Sequence, residues 1–245
     1  MIEIPVSKDG RTIRLELAKD VFTPSVASTT LLFAVDDKDI KGKRVFDVGI
    51  GTGYLGLGLL LRGANYVVGT DINSKAVELA KRNSIINELK SSCEFRQGNM
   101  YHPYEPFSSD SSIDIVISNP PLMPKELGRK EYGPHNAIDG CEFGDECILN
   151  VIKEGKKILQ PEVVLYFPIF SFSNPDYIKK CASMIYKNVK VMARHDIIFD
   201  NIKLGQMKIF EKIFQQGKGH PIEHNGHPYW RIEILRCQGV KNVIS

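Results

Sequence analysis

Short apolar, β-branched runs at residues 44–48, 66–70, 93–96, 113–118, 163–168, 189–193 and 230–236 recur along the chain, separated for most of it by helical patterns. The helical stretches read "TGYLGLGLLLRG", "NSKAVELAKRNSIINEL", "GDECILNVIKEGKKIL", "NPDYIKKCASMIY" and "LGQMKIFEKIFQQG". Strand and helix in alternation constrain the fold most. They favour a mostly parallel sheet, covered on both faces by the connecting helices. In the second helix Ala76, Ala80, Asn83 and Asn87 step round one face, flanked by Val77, Leu79 and Ile86. The first twenty residues follow another pattern. "IEIPV" and "RTIRLEL" place Ile2, Ile4 and Val6, then Ile13, Leu15 and Leu17, on one face each, about the turn-forming "SKDG". The expected architecture is therefore α/β: a mostly parallel seven-stranded sheet with helices on both faces, preceded by a short β-hairpin.

At 245 residues and 42% hydrophobic composition the chain can bury one sizeable core. A single domain over 1–245 is expected, with the hairpin at 1–20, a core at 21–199 and a helical and loop insertion at 200–229 before the last strand. No apolar run reaches the roughly 18–20 residues a bilayer requires, and the N-terminus lacks a basic start followed by an apolar stretch. A cytoplasmic protein without a membrane partner is expected. The five cysteines form no CxxC pair, so reduced thiols and no metal site are expected. The formal charge is +3, with twelve Lys and Arg against six Asp and Glu from Asp176 onward. Such an excess suits a solvated surface, or a face for RNA or an acidic partner.

Ligands of open parallel sheets bind beyond the carboxyl ends of the strands. At one such end lies "VFDVGIGTGYLG", where Gly49, Gly51 and Gly53 allow a tight turn and a close approach of backbone to ligand. Gly51, Gly53 and Gly56 also satisfy the GxGxxG dinucleotide pattern, so the loop alone does not choose a cofactor. Asp47, two places before the first glycine, and Asp71, closing "VVGTDI" at the end of the next strand, narrow the choice. A carboxylate at Asp71 can accept both hydroxyls of a ribose.

"DVGIGTG", residues 47–53, resembles the first motif of class I S-adenosylmethionine-dependent methyltransferases. The resemblance implies a Rossmann-like methyltransferase fold, S-adenosylmethionine as cofactor, and contacts from Asp47, Gly49, Gly51, Gly53 and Asp71. In "RQGNMY" Asn99 stands where that family often has an acid for the adenine amino group; its side-chain carbonyl can still accept the bond, without the charge.

The fourth strand ends in "ISNPPLMP". Proline donates no ladder hydrogen bond and holds its predecessor extended, so Asn119, Pro120 and Pro121 stop the strand and fix one carboxamide at its tip. An –NH2 group conjugated to a carbonyl or a ring is a weak nucleophile. Were the Asn119 side-chain oxygen and the Pro120 carbonyl each to accept one N–H, the nitrogen lone pair would be oriented towards an electrophilic methyl. The stretch resembles the Asn-Pro-Pro-Tyr/Phe motif of N-methyltransferases acting on glutamine amides or on exocyclic base amines. "AIDGCEFGDECIL" and "VFTPSVASTTLL" are similar to segments flanking that motif in HemK-type release-factor glutamine methyltransferases, and the matches together span about 21–164. The family's shorter archaeal and eukaryotic members lack an N-terminal helical domain and act with a small zinc-binding partner, which the resemblance extends to this chain.

Leu122 departs from the motif, which has an aromatic there; Tyr101, Tyr132 or Phe143 could supply the missing ring. His220, His224 and His227 cluster in "GHPIEHNGHPYW", read as a loop near the active-site mouth ahead of a strand that begins at Tyr229 and Trp230; His195 and Asp196 are read as structural. The expected activity is methyl transfer to a planar amino nitrogen: a protein glutamine amide first, then an exocyclic amine of RNA or DNA, then a small molecule. A cofactor-binding subunit without transfer activity and a nicotinamide dehydrogenase are the rival classes.

Overall fold

The computed structural model describes residues 1–102, 112–128, 139–158 and 160–241. A two-stranded hairpin, β1 (Ile2–Pro5) and β2 (Thr12–Leu15), precedes α1 (Val26–Ala34) and the short α2 (Asp37–Ile40). There follow β3 (Arg44–Val48), α3 (Tyr54–Leu61), β4 (Tyr66–Asp71), α4 (Ser74–Ile86), β5 (Cys93–Gln97), β6 (Ile115–Ser118) and α5 (Glu146–Ile158). The chain continues through β7 (Val164–Phe170), α6 (Pro175–Ile185), β8 (Tyr186–Ile198), α7 (Asn201–Leu204), α8 (Met207–Gln215), β9 (Ile222–His224) and β10 (His227–Val240).

Seven strands lie in the order β5-β4-β3-β6-β7-β10-β8, and β9 adds an eighth by pairing with β10. The five strands from β5 to β7 are parallel, whereas β10 runs antiparallel to both β7 and β8. Buried on both faces, the central strands are apolar almost throughout, as "VLYFPIF" of β7 shows. Pro168 is tolerated there because the pairing of β6 with β7 ends at Ile117 and Tyr166, before the proline.

The eighth strand corrects the expected loop around the histidines. Asn225 and Gly226 have φ of 51° and 76°, so the two residues between His224 and His227 form a tight hairpin turn and β10 starts two residues before Tyr229. His220 pairs with Asp176 and His224 with Asp196, each at 2.7 Å, and Asp196 is also gripped by Arg231. These bonds, the guanidinium first, hold the Asp196 carboxyl at a pKa of about 2. α1 was invisible to the periodicity reading, since Val26, Thr29 and Thr30 give it neither a polar face nor high helix propensity.

The N-terminal hairpin docks on α4 through two carboxamides. Asn87 Oδ1 accepts the Arg14 N–H at 3.0 Å while its Nδ2 donates to the Arg14 carbonyl at 2.7 Å. One turn earlier, Asn83 treats Glu16 in the same way at 2.8 and 3.1 Å, and its Nδ2 also reaches the Thr52 carbonyl of the glycine loop at 2.9 Å. Spacing of i and i+4 on the helix thus matches alternate residues of the strand. No helix among the described residues is long and apolar enough to cross a membrane.

Candidate active site

Three parallel strands end side by side at Val48, Asp71 and Ser118, and the loops leaving them enclose a cavity of about 300 Å³. The first loop folds back on β4: Gly49 N–H and Ile50 N–H both donate to the Thr70 carbonyl at 2.9 Å. Gly49, Gly51 and Gly53 have φ of 80°, 53° and 85°, a region that L side chains rarely occupy. Asp71 lies across this loop. Its Oδ2 accepts the Gly51 N–H and its Oδ1 the Asn73 N–H, both at 2.9 Å, which leaves each oxygen a further lone pair. Burial pushes the Asp71 pKa up. Gly49, Gly51, Asp71 and Asn99 all line the cavity.

Asp47 does not line it. The carboxylate is wholly buried beneath α3, where Oδ2 accepts the Gly56 N–H at 2.9 Å and Oδ1 finds no partner. Burial, with the nearby Asp71 charge adding to it, raises the Asp47 pKa to about 8. Gly56 is required by this packing: a Cβ there would stand 2.8 Å from Val67 Cγ1 and 3.1 Å from Asp47 Oδ2. Asp47 therefore supports the loop from below. Gly53 likewise opens α3 beside Leu57 and Ala80 and is absent from the cavity wall.

At the end of β6, the Ser118 hydroxyl donates to the Val48 carbonyl at 2.9 Å and ties the two strand ends together. Asn119 Nδ2 donates to Ser28 Oγ at 3.1 Å, and that hydroxyl also accepts the Ser25 N–H at 3.2 Å. The donor end of the carboxamide is thereby held by α1, which leaves Oδ1 as the end able to accept. Asn119, Pro120 and Pro121 line the first cavity and also a second one of about 190 Å³. Leu122, Phe22, Phe170, Lys203 and Trp230 line the second.

The turn is braced from behind by the loop before α5. Gly140 N–H donates to the Met123 carbonyl, and Lys125 N–H to the Cys141 carbonyl, both at 2.8 Å. Gly144, with φ 77°, approaches so closely that a Cβ would lie 2.4 Å from the Leu122 carbonyl oxygen. Ser173 Oγ donates to that same oxygen at 2.5 Å. Ala137 and Tyr132 lie outside the described residues.

Of the rings expected, Tyr132 lies outside the described residues, and neither Tyr101 nor Phe143 lines either cavity. Tyr101 is fully buried against Phe46 and donates its hydroxyl to the Val151 carbonyl at 3.1 Å. Phe143 lies under the Lys218 ammonium at 4.8 Å and lines neither cavity. Phe22, Phe170 and Trp230 line the second cavity, from segments remote in sequence. Ser28, Lys203 and these aromatics had no local signal to reveal them. Among the described residues no group of three His, Cys, Asp or Glu could hold a metal ion.

Residues 20–131 match the family model of the methyltransferase small domain. The chain is 29% identical over 192 residues to a Methanocaldococcus jannaschii protein provisionally named a protein N5-glutamine methyltransferase, an alignment covering 78% of this chain and 92% of the relative. It is 30% identical over 132 residues to a release factor glutamine methyltransferase of Bacillus anthracis, covering 51% of this chain and 45% of that protein. The chain thus spans nearly all of the archaeal relative and about half the length of the bacterial one. Among solved structures, ribosomal protein L11 methylase from Lactobacillus delbrueckii superposes with a TM-score of 0.57 at 15% identity, covering 96% of this chain and 90% of that one. The E. cuniculi Mtq2–Trm112 complex, described as responsible for methylation of the eRF1 termination factor, gives 0.53 at 18% identity, covering 90% and 99%.

Proposed function

We propose that this chain, which matches the methyltransferase small domain over residues 20–131 and is 29% identical to an archaeal relative named for protein glutamine methylation, is a methyltransferase acting on the side-chain amide nitrogen of a glutamine in a protein of the release-factor type, with S-adenosylmethionine as donor. The observation that carries the proposal is Asn119, on the wall shared by two cavities, with its donor end tied to Ser28 and its oxygen left to accept.

The first cavity fits the donor. Gly49 and Gly51 hold a positive-φ loop with open space where a Cβ would project, and Asp71 keeps lone pairs for a vicinal diol. Asn99 lies on the same wall for the adenine edge, while Asp47 and Gly53 hold the loop's shape. S-adenosylmethionine, when bound, supplies an electrophilic methyl whose bond to sulfur breaks with the electron pair kept by sulfur. Asn119 Oδ1 and the Pro120 carbonyl accept the two N–H bonds of the acceptor, which turns its lone pair out of conjugation and fixes its direction. The acceptor nitrogen forms the new N–C bond and releases one proton to water, because a carboxamide is too weak a base to take it. Pro121 and Leu122 form the apolar floor beside it.

An exocyclic base amine is the second reading, favoured by the rings of Phe22, Phe170 and Trp230, since bases stack on aromatic side chains. The Mtq2–Trm112 likeness adds a small partner subunit to the proposal, to be sought by co-purification. A cytoplasmic setting agrees with five free cysteines. The deciding experiment incubates cell extract with enzyme and a methyl-labelled donor, then digests with nuclease or protease. Label retained through nuclease and recovered as N-methylglutamine is expected; label released as a methylated base overturns the protein substrate.

A further inference from the structure

Lys203 sits where a lysine is costly. Its side chain is 7% exposed, yet its ion-pair partner Asp200, at 2.6 Å, is 50% exposed. Taking an ammonium out of water is unfavourable, and a surface lysine could make the same pair with Asp200, so the buried position is what sets Lys203 apart. The Nζ lies 5.4 Å from the centre of the Trp230 ring, which packs edge-on against Phe170 at 5.1 Å. All three residues line the second cavity, which is otherwise walled largely by apolar groups and by Asn119. The insertion carrying Lys203 is locked down over this end of the fold: Gln206 reaches the Leu127 carbonyl at 3.4 Å, and Lys212 pairs with Glu126 at 2.7 Å.

One apolar cavity thus holds a hydrogen-bond acceptor at Asn119 and a cationic donor at Lys203. A primary carboxamide presents the complement, N–H donors and a carbonyl acceptor on one planar group. Resting on the function proposed above, we propose that the second cavity is the acceptor site and that Lys203 is its specificity-determining residue, donating to the carbonyl oxygen of the glutamine amide. Donation to that oxygen fixes the position and plane of the amide, and the nitrogen sheds one proton to water as the N–C bond forms and the C–S pair leaves with sulfur. Trp230 holds the ammonium over its ring face and shields the site from water.

The test uses full-length enzyme and two blocked peptides that differ at one position: glutamine, or the γ-methyl ester of glutamate, which keeps the carbonyl and has no N–H. Lys203→Met should lower kcat/KM for the glutamine peptide 10- to 100-fold and weaken competitive inhibition by the ester at least tenfold, with S-adenosylhomocysteine affinity unchanged. Asn119→Ala should lower glutamine turnover and leave ester inhibition within twofold, a split that a general loss of structure does not produce. Lys203→Arg should retain ester inhibition within threefold. If Lys203→Met keeps both the turnover and the inhibition of the wild type, the inference is overturned and the function above stands. If the wild type methylates no glutamine peptide and the ester does not inhibit, the function itself is overturned, and this inference with it.

Discussion

Replacing Gly144 by alanine should damage catalysis without touching the cofactor cavity. The added Cβ would lie 2.4 Å from the Leu122 carbonyl oxygen and 3.0 Å from Pro124 Cδ, so reaching an ordinary contact requires Leu122 to retreat by about 1 Å. That carbonyl accepts the Ser173 hydroxyl, a bond worth roughly 0.5–1.5 kcal/mol. The left-handed backbone at φ 77° costs an L residue about 1–2 kcal/mol more. In a chain of this size a total near 2–3 kcal/mol lowers Tm by roughly 4–12 °C. Leu122 follows Asn119-Pro120-Pro121 directly, and a displacement approaching 1 Å costs on the order of 10²-fold in an oriented reaction, so turnover should fall roughly 10- to 100-fold. Gly217→Ala is the control: its φ is 67°, but a Cβ there meets nothing within 4 Å. It carries the backbone cost alone and keeps normal turnover. Thermal melting, calorimetry with S-adenosylhomocysteine and methyl transfer to a glutamine peptide make the comparison. Gly144→Ala with the Tm and turnover of the Gly217 variant would refute the idea that the loop before α5 positions the Asn-Pro-Pro turn.

Ser28→Ala frees the Asn119 amide and should reduce turnover about two- to tenfold, the worth of one hydrogen bond; with Asn119→Ala already in place it should cost nothing more, and additive losses would sink the assigned role. Asp71→Ala should weaken S-adenosylhomocysteine binding by roughly 1–3 kcal/mol in calorimetry, while NAD shows no heat with the wild type. Asp47 titrates near 8 in the folded chain and in the usual carboxylate range when unfolded, so its contribution is fully present at low pH and lost as pH rises towards 8. Asp47→Asn should therefore gain on the wild type by up to about 1.4 kcal/mol per pH unit between pH 5 and 7 in urea unfolding, and a constant difference between the two would count against a buried, protonated carboxyl.

The parts of the site visible in the sequence are those built from contiguous residues. "DVGIGTG" and "SNPP" carry their own turn chemistry, and Asp71 follows a plain β-branched strand, so each could be placed at a strand end. Asp47 shows the limit of that logic. Asp47 lies two residues before the glycine loop on a strand buried on both faces, and only the packing of Gly56 against it reveals that it points under the helix. The second cavity was legible only at Asn119 to Leu122, because its other walls come from α1's approach, β7, the stretch bearing α7 and β10, at positions 22, 170, 203 and 230. The hairpin at Asn225-Gly226 was legible: Asn-Gly is the favoured pair for a two-residue turn. The Pro-, Gly- and Asn-rich stretch around it reads instead as a loop ahead of a strand at Tyr229.

The sheet order has a consequence for synthesis of the chain. β8 pairs only with β10 among the described strands, and β10 is inserted between β7 and β8. As the polypeptide emerges from its N-terminus, β8 is therefore finished before any partner exists. The 28 residues between Ile198 and His227 take on the order of one to six seconds to translate. During that wait β8 is an open edge next to an incomplete sheet, the condition in which strands pair with the wrong neighbour. Trp230 arrives with β10, so the cofactor loops of β3 and β4 can form well before the wall beside Asn119 does. Shielding β8 in the interim falls to what is already made: α1 and α6, which pack against it in the finished fold.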